Sequence, residues 1–206
     1  WALGYVQAVL ERGVMESSGA FEPKRPVQRQ EIAEVLLRSF IPDHAFELAI
    51  DGLHNGEVWI NGLAYSMTGA LEGLFGEHNQ AVLQGARIRF DANNGQIAKV
   101  KALVITQGGA APSGDKPEFS GNLLLNGKGA VIDGSVVIAA DYVSLQQLSV
   151  NGDLEIAKQL EHDFYMDDVT VKGSTVVNGG DTDTVVFDNS MMNQVEVNKT
   201  NVRLES

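Results

Sequence analysis

Leu145-Gln-Gln-Leu-Ser-Val-Asn-Gly152, Met166-Asp-Asp-Val-Thr-Val-Lys-Gly173 and Phe187-Asp-Asn-Ser-Met-Met-Asn-Gln194 decide the fold, because their first residues, 145, 166 and 187, are spaced at a constant step of 21. A fixed step of that size marks stacked repeats. Gly134-Ser-Val-Val-Ile138 against Gly152-Asp-Leu-Glu-Ile156 suggests an earlier, shorter rung at a step of 18. Short runs with β-branched residues and glycine corners, rather than leucine-rich helical units, predict a right-handed parallel β-helix over residues 118–206. Antiparallel hairpins in a sandwich would also give short alternating strands, but not a constant step.

Stacking the coils predicts which side chains meet. Leu145, Met166 and Phe187 form one inward column, and Val150, Val171 and Met192 a second. Each buries apolar atoms against the coil above and below at about 4.8 Å. Outward, Gln146, Asp167 and Asp188 share a column, and Gln147, Asp168 and Asn189 the next. Two carboxylates one coil apart repel unless a cation or solvent relieves them. Asp167 and Asp188 are therefore weak calcium candidates, as are Asp181 and Asp183 after Gly179-Gly180. With no Asp-x-Asp-x-Asp-Gly loop, a solvated acidic edge is the favoured alternative.

Upstream, Gly108-Gly-Ala-Ala-Pro-Ser-Gly-Asp-Lys-Pro117 has the composition of a linker, placed at 109–117. Residues 42–108 read as a small β domain, with strands at 46–50, 57–61, 63–67, 85–90 and 97–105 and a short helix bridging 70–75. Asn94-Gly95 is the clearest turn, reversing Arg87–Phe90 into Ile97–Val100.

At the other end, Ala2, Tyr5, Val6, Val9 and Leu10 lie on one helical stripe, Gly13 ends it, and Ile32, Val35, Leu36 and Phe40 restart the period. Phe21, Pro23 and Pro26 form the connector, so residues 1–41 are expected to be a helix–loop–helix. The expected class is α+β, mainly β.

Trp1-Ala-Leu-Gly-Tyr5, Phe21-Glu-Pro23 and Gln28-Arg-Gln-Glu31 occur at spacings that resemble an S-layer homology repeat, with which many bacterial surface proteins grip a cell-wall polysaccharide. The resemblance implies an extracellular, cell-surface location. It also implies an acidic, pyruvylated secondary cell-wall polymer as partner, contacted by Trp1, Lys24, Arg29 and Glu31. A guanidinium suits a carboxylate, and an indole offers a flat face to a sugar ring. The residues alone equally allow Arg29 and Glu31 to brace the second helix and Trp1 to be core. Family members usually act as three repeats, so the chain is expected to be a piece of a longer protein.

Composition narrows the function classes. The 206 residues hold 27 Asp and Glu against 15 Lys and Arg, a net charge of −12 that argues against a nucleic-acid partner. With no cysteine there is no thiolate chemistry, and no apolar run approaches a membrane span. His44, His54, His78 and His162 share no metal-ligand spacing, and no phosphate loop, nucleophile elbow or dinucleotide fingerprint occurs. No cofactor is expected. Trp59 reads as core or sheet surface rather than a sugar platform.

The expected function is non-catalytic: a surface-protein fragment anchored to wall polysaccharide, its β modules acting as spacer, interaction surface or site of self-association. A polysaccharide lyase or glycosidase using Asp167 and Asp188 is the rival enzyme reading. It is disfavoured because the only cations near that face, Lys172 and Lys199, lie one column away. An adhesive module without ligand is the third reading.

Overall fold

The computed structural model describes residues 47–182 and 185–206, and the period of 21 appears in it as parallel strands. β6 (Leu123–Ile132) and β7 (Ser135–Ile138) form one coil, β8 (Val143–Val150) and β9 (Leu154–Ile156) the next, and β10 (Phe164–Val177) a third. β11 (Val185–Asp188) and β12 (Met191–Val197) form a fourth, and β13 (Leu204–Glu205) starts another. Leu125, Leu145, Met166 and Phe187 are successive register partners, as are Ile132, Val150, Val171 and Met192. All are buried except the half-buried Met192. The expected inward columns are therefore those observed. The shorter rung is real too, since Val136 pairs with Leu154 and Ile138 with Ile156.

Two kinds of corner turn each coil. Gln147, Asp168 and Asn189, one above another, take φ of 51°, 54° and 44°, a left-handed conformation that Asn and Asp tolerate better than most residues. At the next corner Gly134, Gly152 and Gly173 stack backbone on backbone. Gly152 N donates to Gly134 O at 2.9 Å and Gly173 N to Gly152 O at 3.0 Å. A Cβ on Gly152 would overlap the Gly134 carbonyl, so the column needs glycine.

The strands upstream pair antiparallel except where Ser66 and Met67 run parallel to Gln96 and Ile97. β1 (Leu48–His54), β2 (Glu57–Ile60) and β3 (Leu63–Met67) are joined by Asn55-Gly56 and Asn61-Gly62, and β4 (Arg87–Asn93) joins β5 (Gln96–Ile105) through Asn94-Gly95. All six turn residues have positive φ, the geometry that matches strand twist in tight hairpins. β5 is the hinge of the architecture. One edge pairs antiparallel with β4, and on the other its residues Ala102–Ile105 pair in parallel with Ser135–Ile138.

The expected fold class is thereby corrected. The described residues are mostly β, with a single α-helix, α1 (Gln80–Leu83), and all thirteen strands belong to one sheet rather than to a β domain and a separate β-helix. Helical residues near 70–75 are limited to a 3₁₀ turn at Gly69–Leu71. The physical reason is edge pairing: β5 offers an open edge, and β7 closes it. The helix–loop–helix expected at 1–41, with Trp1, Lys24, Arg29 and Glu31, lies outside the described residues. Residues expected as a linker begin against the solenoid, where Gly109 N donates to Asp141 O and Tyr142 O, both at 3.1 Å, and Ala110 N to Gly121 O at 3.0 Å.

The first coil is covered by residues 69–83, which include 3₁₀ turns at Gly69–Leu71 and Glu77–Asn79 and α1, and in which Leu71, Leu74, Phe75, Val82 and Leu83 are buried. The last is not covered among the described residues. Val195 and Val197 hold inward positions opposite Thr175 and Val177, yet are 41% and 43% exposed because no described strand stacks beyond them.

Candidate functional site

The outward column expected to collect charge does so. Gln146, Asp167 and Asp188 are register partners on β8, β10 and β11. Both carboxylates accept hydrogen bonds from a ladder of neutral donors. Asn126 Nδ2 donates to Gln146 Oε1 at 3.1 Å, and Gln146 Nε2 donates to Asp167 Oδ2 at 3.0 Å. Asn189 Nδ2 donates to Asp167 Oδ1 at 2.9 Å. Tyr165 Oη donates to Asp188 Oδ2 at 3.3 Å. Each carboxylate therefore has its own donor from the coil above or below.

Those bonds set the titration of Asp167. The Asn189 amide first, and the Gln146 amide second, hold Asp167 below the usual carboxylate range despite some burial. Burial chiefly, then the negative charges of Asp167 and Asp188, push the Tyr165 hydroxyl up. A general acid for glycoside cleavage needs a carboxyl held protonated near neutral pH. Asp167 is moved the opposite way, and both its oxygens already accept hydrogen bonds. Phe119 stacks on Tyr165 with ring centroids 5.0 Å apart, laying an aromatic lid over the column.

The other candidate residues disperse. Asp168 sits at the exposed left-handed corner, and Asp181 accepts from Arg203 N through its backbone carbonyl at 3.0 Å. Asp183 and His44 lie outside the described residues. His78 Nε2 lies 3.1 Å from Asn126 O, and His162 Nδ1 lies 3.3 Å from Asp141 Oδ2. No group of three or more His, Cys, Asp or Glu among the described residues is arranged to hold a metal ion. Trp59 is 39% exposed on the sheet surface, and no helix among the described residues is long and apolar enough to cross a membrane.

Sequence reasoning missed Asn126 and Tyr165 as ladder members. Asn126 is 20 residues before Gln146, inside the shorter first step, and the Tyr165 bond is diagonal rather than in register. No family model, no curated protein and no solved structure matches the chain.

Proposed function

We propose that this chain belongs to a cell-surface protein and that its β-solenoid is a non-catalytic spacer and interaction module, with an acidic wall polysaccharide as partner. One observation supports the non-catalytic part above others: Asp167 and Asp188, the carboxylate pair best placed for glycan chemistry, are tied into the protein's own amide and phenol ladder. Such a ladder stiffens a stack, and its amides hold the Asp167 carboxyl in the ionised form rather than as a proton donor. The surface location and the polymer rest on the resemblance of residues 1–40, where Trp1, Lys24, Arg29 and Glu31 are the proposed contacts.

The test is twofold. Wall polymer immobilised on beads retains the chain, and Arg29→Ala weakens that retention. Acidic and neutral glycans incubated with the chain release no new reducing ends or unsaturated products. Release that disappears in Asp167→Asn would overturn the reading in favour of an enzyme.

A further inference from the structure

The outward side of the sheet that runs from β4 to β12 carries a row of register partners: Arg87, Val104, Val137, Glu155, Val176 and Glu196. Around its first four members lies a cleft of about 600 Å³. Its floor is aliphatic and shallow, made of Val104, Val137 and Ala157. Arg87 stands on the β4 side with Glu47 against it at 3.6 Å, and Lys158 stands on the turn after β9. Glu155 is fixed in place, since Asn178 Nδ2 donates to its Oε1 at 2.9 Å and Asn198 Nδ2 donates to Asn178 Oδ1 at 3.1 Å.

We infer that this cleft binds a saccharide bearing a carboxylate, of the uronate type; the assignment rests on the proposed function and names the surface that meets the polymer. The lining sets two cations, Arg87 and Lys158, beside two carboxylates, Glu47 and Glu155, so an anion is received at the two cationic donors and not by any net positive charge of the cleft. Arg87 supplies a fork that matches a carboxylate in a way its loose pairing with Glu47 does not fulfil. Lys158 forms no ion pair among the described residues. A phosphate, with its larger charge, would face Glu47 and Glu155 as well, at a repulsive cost. A singly charged sugar acid presents its carboxylate to the cations and its hydroxyls to Glu155, Gln159 and Asn178. The aliphatic floor receives the C–H face of the ring, and an amide-held Glu155 loses little freedom on binding.

The experiment is calorimetric titration of the 206-residue chain with a galacturonate hexamer, maltohexaose, inorganic phosphate and a glutamate hexapeptide. The hexamer of galacturonate binds saturably and the other three do not. Arg87→Gln and Lys158→Gln each weaken binding about tenfold, the loss of one charge-assisted hydrogen bond. Lys128→Gln, outside the cleft, leaves it unchanged, and thermal melts verify that all three variants fold. Equal binding of phosphate or the peptide, equal binding of maltohexaose, or unchanged affinity in both cleft variants overturns the assignment. Retention on wall polymer separates the two levels: cleft variants retained like the unaltered chain sink the cleft alone, whereas an unaltered chain that is not retained sinks the proposed function.

Discussion

The Asn79 side chain pairs with the Asn126 backbone as another strand would. Its Nδ2 donates to Asn126 O at 2.8 Å and its Oδ1 accepts from Asn126 N at 2.9 Å. Nδ2 also reaches Leu74 O at 2.8 Å, and the residue is fully buried. An open strand edge in a solenoid invites pairing with another chain. Here one side-chain amide closes the edge of β6 at the point where the 3₁₀ turns and α1 cover the apolar columns.

Replacing that amide isolates its contribution. Asn79→Ala leaves the Asn126 N–H without its partner and the Asn126 carbonyl with only the His78 ring nitrogen beside it, and is expected to lower unfolding free energy by about 1–3 kcal/mol. Asn79→Asp is expected to cost more at neutral pH, since a carboxylate cannot donate to the carbonyls and is itself buried. Urea denaturation at pH 7 measures both. An Asp variant as stable as the unaltered chain would show that the donated bonds contribute nothing.

The glycine corner makes a second prediction. At Gly152 an added methyl meets the Gly134 carbonyl and the Ser135 hydroxyl. Gly152→Ala should cost about 1–3 kcal/mol through forced displacement of the stack. Lys172→Ala, at an exposed position beside the same corner, should change stability by less than about 0.5 kcal/mol. Thermal melts of the two variants side by side decide whether backbone stacking or merely corner polarity matters.

Thr175 points inward in the column that holds Leu154, is fully buried, and its hydroxyl has no hydrogen-bond partner. A polar group desolvated without compensation is destabilising. Thr175→Val keeps the branched shape and is expected to raise stability by about 1 kcal/mol. A fall in the urea midpoint would mean that the hydroxyl is satisfied in solution after all.

Asp167 carries the pH prediction. Its folded pKa lies below the ordinary 3.8, so folding favours the carboxylate. The stability it lends is present above 3.8 and is lost as pH falls through the depressed value. Asp167→Asn should therefore separate from the unaltered chain most at neutral pH, with the two melting temperatures converging as the buffer is taken from pH 4 toward pH 2. A constant difference across that range would remove the amide ladder as the cause.

Much of the solenoid was legible in the residues themselves. Parallel stacking repeats register one for one, so a step of 21 names the partners of Leu145 and Val150 without any coordinates. The glycine step from 134 to 152 similarly gave the Val136–Leu154 pairing. The amide ladder around Asp167 and Asp188 was not legible for a specific reason. A column assignment says which carboxylates are neighbours, but not which amides, in register or diagonal, reach them.

By itself the sequence determined the parallel strands of the repeat, the Asn94-Gly95 reversal and the inward columns, because these depend on local conformational preference and on a period written into the chain. Tertiary structure alone decided that the antiparallel and parallel strands join in one sheet through β5, that Asn79 closes an edge 47 residues away, and that Arg87 and Lys158 face one cleft. Those relationships join segments of no fixed spacing. They follow from which edge is left open and what packs across it, and no periodicity in the residues encodes that.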